Sequence, residues 1–244
     1  ALTGLQAVSA DEITFSKTVI DDLFRSEGVG VADINKDDKP DIVVGDLWYE
    51  APDWKPHEIR KPREPKRGGY TDAFAVYTDD FNKDGWVDVM AIQFHGKPAI
   101  WYENPQGKEG HWEGRVAFKG TGNETRLYTS ELFKDKKVFL MGVEGKIAWV
   151  PVPEDPTEPW PVHNISEGKV RSAHRFAHGL GVGDVNGDGR NDVMSGEGWW
   201  EQPSEGEVTK PWKFHKSKIS GDGVADMNTQ EADKDGLPDV FCTS

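Results

Sequence analysis

The chain has one cysteine, Cys242, which excludes an intramolecular disulfide and any zinc site built on several thiolates. Basic residues are scarce: 29 Lys and Arg face 43 Asp and Glu, a formal charge of −14. Such a surface repels nucleic-acid phosphates and anionic lipid headgroups, so neither is an expected partner. No apolar run approaches the ~18 residues of a membrane span. A serine nucleophile elbow, a phosphate-cradling glycine loop and a dinucleotide fingerprint are all missing; Gly179-Leu-Gly181-Val-Gly183 leads into an acidic loop rather than opening a helix. What is plentiful is 27 Gly, 15 Pro and 10 Trp in 244 residues, the composition of many short strands joined by tight turns. The length allows one large all-β domain or two small ones.

A nine-residue acidic frame recurs. It reads Asp33-Ile-Asn35-Lys-Asp37-Asp38-Lys39-Pro-Asp41, Asp80-Phe-Asn82-Lys-Asp84-Gly85-Trp86-Val-Asp88, Asp184-Val-Asn186-Gly-Asp188-Gly189-Arg190-Asn-Asp192 and Glu231-Ala-Asp233-Lys-Asp235-Gly236-Leu237-Pro-Asp239. A degenerate copy over 131–139 keeps the frame but loses the oxygen residues at the third and ninth positions, making the spacings 47, 51, 53 and 47. Each frame lies between two short apolar stretches. A third stretch carries Trp48-Tyr-Glu-Ala-Pro52, Trp101-Tyr-Glu-Asn-Pro105, Trp149-Val-Pro or Trp199-Trp-Glu-Gln-Pro203, and a fourth carries Trp54-x-x-His57, Trp112-x-x-Arg115, Trp160-x-x-His163 or Trp212-x-x-His215. Four strands per unit of about 50 residues predict an all-β fold, a β-propeller of four-stranded blades. About five units are visible over residues 12–244, behind an N-terminal segment of residues 1–11. The last unit stops after its second strand, which favours a piece of a larger, for example seven-bladed, propeller with further domains.

Oxygen side chains at positions 1, 3, 5 and 9, a tight turn at 6 and a backbone carbonyl at 7 make a hard all-oxygen donor set, which suits calcium better than magnesium or zinc. The expected ligands are Asp33, Asn35, Asp37, Lys39 and Asp41; Asp80, Asn82, Asp84, Trp86 and Asp88; Asp184, Asn186, Asp188, Arg190 and Asp192; and Glu231, Asp233, Asp235, Leu237 and Asp239. Lys39, Trp86, Arg190 and Leu237 serve through their carbonyls. Four structural Ca²⁺ would tie loops that no disulfide ties and relieve much self-repulsion.

These repeats resemble the FG-GAP/VCBS-type calcium-binding β-propeller family. The Trp-Tyr-Glu-Asn-Pro and Gly-Trp-Trp-Glu-Gln-Pro strands add a likeness to the propeller of aldos-2-ulose dehydratase/isomerase-like proteins. The resemblance implies an extracellular or periplasmic protein, in keeping with a bland N-terminus of the kind left by processing. Its second part implies metal-assisted chemistry on keto-sugars.

The face opposite the acidic loops is the expected place for function. Five positions past each loop stand Asp46, Gln93, Glu144 and Glu197. Beside them lie His95 and the pre-strand segments Arg25-Ser-Glu27, Tyr70-Thr-Asp72, Arg126, His174-Arg175-Phe-Ala-His178 and Asp222. Imidazoles and carboxylates converging there suit a metal centre or an acid–base pair. His95, His178, Arg175, Glu197 and Tyr70 are the candidate catalytic residues, with some of His95, His178 and Glu197 as ligands for one Zn²⁺ or other transition metal. His57, His163 and His215 recur beside tryptophans and read as packing. Three functions stay open: a carbon–oxygen lyase or dehydratase on keto-sugars, a non-catalytic module binding carbohydrate or protein, and an adhesion scaffold.

Overall fold

The computed structural model describes residues 13–63, 68–221, 226–236 and 238–243; residues 1–11, Asp222 and Leu237 lie outside them. The protein is all-β. Its first sheet is β1 (Gly30–Ala32), β2 (Asp41–Val44), β3 (Leu47–Glu50) and β4 (Lys55–Glu58). The second is β5 (Ala75–Asp79), β6 (Asp88–Ile92), β7 (Ala99–Glu103) and β8 (Glu113–Phe118). The third is β9 (Thr121–Phe133), β10 (Lys136–Val143), β11 (Lys146–Pro151) and β12 (His163–Asn164). In the fourth, β13 (Leu180–Gly183), β14 (Asp192–Ser195), β15 (Gly198–Glu201) and β16 (Lys213–Lys216) are joined by β17 (Asp226–Gln230) and β18 (Asp239–Cys242). Each run of four is antiparallel in chain order, and none of the sheets closes into a barrel. Residues 13–29 form no strand; Asp21 fastens them to the first sheet through the Tyr49 hydroxyl at 2.5 Å.

Successive sheets pack face to face. Val43, Trp48 and Ile59 of the first meet Val89, Tyr102 and Trp112 of the second. Met90, Trp101 and Phe118 then meet Phe139, Met141 and Val150 of the third. Leu140, Trp149 and Ile165 in turn meet Leu180, Val193 and Trp200 of the fourth. Burying side chains of this size contributes roughly 1.5–3 kcal/mol each. The amides before the fourth strands sew the same seams, Trp112 N donating to Ile59 O, Trp160 N to Ala117 O and Trp212 N to Ile165 O.

First strands also meet. The Gly28 amide donates to the Ala73 carbonyl, and β13 pairs in parallel with β17, joining the half-unit at the chain's end to the fourth sheet. That junction depends on glycine: a β-carbon at Gly181 would stand 2.0 Å from the Met227 carbonyl oxygen, and one at Gly183 would stand 2.1 Å from Thr229 Oγ1.

The histidines of the fourth strands pack as their recurrence indicated. Trp48 faces His57 across β3 and β4 with rings stacked at 4.2 Å, and Trp199 faces His215 across β15 and β16 at 4.1 Å. His57 and His215 are each held by a third-strand carboxylate at 2.7 Å, Glu50 and Glu201 respectively. In the second sheet Arg115 takes the same place, over Trp101 and paired with Glu103.

Candidate functional site

The first three complete acidic frames share one geometry, while in the last Glu231 accepts the Lys234 amide. The first carboxylate receives the amides of positions 5 and 6: Asp33 from Asp37 and Asp38, Asp80 from Asp84 and Gly85, Asp184 from Asp188 and Gly189. Asn35, Asn82 and Asn186 accept the position-5 amide again. Asp37, Asp84 and Asp188 accept the position-7 amide. Position 6 is left-handed in all four complete frames, at φ 63° for Asp38 and 84–86° for the glycines; the short Asp side chain tolerates what glycine adopts freely. The degenerate frame is different: only Lys134 and Asp135 separate β9 from β10, a plain two-residue turn.

The ninth-position aspartates enter from the second strand and are wholly buried in the first three complete frames. Asp41 accepts from the Ile34 and Ala51 amides, and Asp192 from Val185 and Gln202, so the frame is tied to the end of the third strand. Asp88 accepts from the Asn104 amide through Oδ1, while its buried Oδ2 lies beside the Phe81 amide and the Trp101 indole without a well-formed hydrogen bond to either. Burial pushes the carboxyls of Asp88 and Asp192 up to about 6. In the last frame oxygens of Glu231, Asp233 and Asp239 lie within 4.8 Å of one another. Carboxylate and amide oxygens gathered on one turn, with three carboxylates converging in the last frame, are a hard all-oxygen set of the kind calcium takes.

At the opposite end, His95 follows β6. Its side chain is fully enclosed, with Nε2 2.9 Å from Glu124 Oε1 and Nδ1 3.3 Å from Arg126 Nη2. The rings of Phe74, Phe94 and Phe176 pack around the imidazole at 4.9–5.1 Å. Burial holds its pKa below the ordinary histidine value; the Glu124 hydrogen bond opposes that, and the charge of Arg126 adds to it. Arg126 on β9 is 7% exposed, lies 4.6 Å over the Phe74 ring, and its Nε and Nη1 find no hydrogen-bond partner. Tyr70 stacks on Phe94 at 5.0 Å and lies 6.2 Å from Phe176; both rims are open, Tyr70 at 63% and Phe176 at 46% exposure.

Beside this cluster is a cleft of about 710 Å³. It lies between the Arg171–His178 segment, the β14–β15 turn at Gly196 and Glu197, and the chain leaving β16. Arg175, His178 and Glu197 all line it and are exposed. Phe176, at φ 62°, lines the cleft and also touches His95, so the two features are contiguous.

The structure thus brings together Tyr70, His95 and Phe176 in one cluster, and Arg175, His178 and Glu197 in one cleft. It does not gather His95, His178 and Glu197 into one ligand set: among the described residues, the only three carboxylate, imidazole or thiol groups that close together are those of the last acidic frame. Of the polar ring, Asp46 is consumed by ion pairs with Arg60 and Arg63. Glu124, Lys216 and Lys218 have no signature in the repeat. Glu124 could have been found only by knowing that β9 runs beside the turn carrying His95.

No protein-family model matches the chain, and no curated protein matches it either.

Proposed function

We propose that the chain is a calcium-stapled β-propeller of the FG-GAP/VCBS type that binds carbohydrate on the face opposite its acidic loops. Four-stranded antiparallel units packed face to face in chain order, with first strands side by side, support the propeller reading. Asp80, Asn82, Asp84, Asp88 and the Trp86 carbonyl would hold one ion, and the corresponding residues of the other frames would hold theirs. The ions would supply rigidity rather than reaction chemistry. A calcium requirement, where the frames are loaded, accords with an extracellular or periplasmic location, since calcium is plentiful there.

The observation that carries the saccharide reading is the open aromatic pair Tyr70 and Phe176 beside the polar groups of Glu124, Arg175, His178 and Glu197. Aromatic faces take the apolar faces of sugar rings while flanking polar groups orient the hydroxyls. Affinity electrophoresis against a set of soluble polysaccharides tests it. Tyr70→Ala and Phe176→Ala are each expected to weaken binding by roughly thirtyfold, the ordinary cost of losing an aromatic anchor. Wild-type protein retarded by no saccharide, or both variants retarded like wild type, overturns the reading.

One observation favours a catalytic variant of this function: His178 and Glu197, an acid–base-competent pair of residue types, line the same open cleft. A lyase acting there would release an unsaturated product that absorbs in the ultraviolet and would lose it in Glu197→Gln. Binding without such a product assigns the face to recognition alone.

A further inference from the structure

The charge on this face is the reverse of the charge on the chain. The cleft is lined by Arg171, Arg175, Lys216 and Lys218 with His174 and His178, while Glu197 is the single carboxylate among the described lining residues. This occurs in a protein of formal charge −14. Elsewhere arginine is neutralised locally: Arg25 pairs with Asp21, Arg60 with Asp46, Arg63 with Asp46 and Asp72, Arg115 with Glu103 and Glu113, and Arg190 with Asp188. Among the described residues, no carboxylate comes within ion-pair distance of Arg126, Arg175, Lys216 or Lys218, and all four lie on this face. Arg175 reaches toward the His95 turn, its Nη2 3.7 Å from where a β-carbon of Gly96 would stand.

A buried guanidinium with two unmet N–H donors and no carboxylate is costly, and an anion bound nearby offsets part of that cost through its charge. Surplus carboxylates are abundant on this chain and lysines without an ion pair occur over its whole surface, so the distinguishing feature is the two arginines, Arg126 and Arg175, left without a carboxylate at the same end. We infer that the ligand of this face is an anionic saccharide, one whose carboxylate or sulfate oxygens are received by Arg175, Lys216 and Lys218, with the buried charge of Arg126 behind the aromatic rim adding to the attraction. The inference rests on the saccharide-binding reading and narrows it to acidic sugars. Arginine's planar fork matches either oxyanion group with paired hydrogen bonds, and the flanking Tyr70 and Phe176 rings seat the sugar that carries it.

The test compares matched probes on the calcium-loaded protein: polygalacturonate for carboxylate, dextran sulfate for sulfate, unmodified dextran as the neutral control, and polyphosphate as a non-saccharide polyanion. Binding to one or both acidic saccharides, weakened by salt and weakened about tenfold or more by Arg175→Gln or by joint Lys216→Gln and Lys218→Gln, is the expected result. These residues are exposed, so the variants fold; Lys108→Gln, remote from the cleft, is expected to change nothing. Dextran bound as tightly as dextran sulfate, without salt dependence, overturns the anionic ligand and leaves the saccharide reading standing. Polyphosphate bound as tightly as the acidic saccharides, with Tyr70→Ala and Phe176→Ala silent, overturns the saccharide and leaves only an anion site. No probe bound overturns both.

Discussion

The two ends of the sheets leave opposite debts. At the acidic-loop end the buried, poorly partnered atoms are of both kinds, the acceptor Asp88 Oδ2 and the neighbouring donor Trp101 Nε1, and the excess of acceptors lies in the loop oxygens of Asp33, Asn35, Asp37 and their counterparts. At the far end the buried atoms without partners are donors, Arg126 Nε and Nη1, set beside a cleft of unpaired cations. A polypeptide can satisfy either kind of group internally, as Asp41 and Asp192 do with two amides each. The proposed ligands follow that contrast: a cation for the oxygen-rich loops and an anion for the cation-lined cleft. The loop end repeats in every complete frame and therefore reads as architecture. The far end does not repeat, since Asp46 is paired off where Arg126 and Arg175 are not, and therefore reads as specific recognition.

The sharpest way to break this comparison is to withdraw the cations. Chelation is expected to lower Tm by about 20 °C, from roughly 2.7 kcal/mol per site at a hundredfold excess of calcium over Kd. Within that total, Asp88→Asn should remove one equivalent of bound calcium and lower Tm. Asp135→Asn, in the plain turn that replaces the degenerate frame, should stay within about 0.5 kcal/mol of wild type. Titration calorimetry and thermal melts read both. Equal behaviour of the two variants would mean that the loops are ordinary hairpin turns.

A smaller and opposite effect is expected at the far end. Arg126→Met keeps much of the side chain's volume and removes a buried charge that lacks a carboxylate. The ligand-free protein should be unchanged or stabilised by about 1 kcal/mol, while affinity for acidic saccharide falls. A loss of several kcal/mol without ligand would show that Arg126 is a structural strut, and the contrast between the two ends would fail. Urea denaturation of the calcium-saturated protein measures it.

The loop end was legible in the sequence because the backbone there is dictated locally. Positions 1, 3, 5 and 6 are close neighbours, and their types set the turn wherever it occurs. The stacked Trp48–His57 and Trp199–His215 pairs were legible for a related reason, since an antiparallel register repeats with the unit. The far end was legible only as a list of residue types on one face. Its chemistry depends on Glu124 of β9 reaching His95 of a different sheet, and on Lys216 and Lys218 leaving β16 beside Glu197. No spacing rule carries such contacts. The parallel β13–β17 junction escaped the sequence reading too, because Gly181 and Gly183 there look like any strand glycines until another backbone fills the space.

The smallest expected effect separates the far end's support from its surface. His95 is enclosed and its pKa is held below the ordinary value chiefly by burial; Glu124, Arg126 and Arg175 are the charged groups that act on it. The unfolded chain therefore takes up a proton at this residue before the folded chain does. Stability contributed by the neutral imidazole is present above the unfolded pKa of about 6.5 and is lost as pH falls through the window below it. The raised carboxyl pKa values of Asp88 and Asp192 run the other way in the metal-free protein, so the comparison is made with calcium held saturating. Between about pH 7.5 and 5.5, wild type should lose more stability than His95→Gln. Saccharide affinity at the higher pH should fall in the variant only if Glu124 and Arg126 shift. A variant that keeps the full wild-type pH dependence would place the titrating group elsewhere, and His95 would then be a packing residue like His57 and His215.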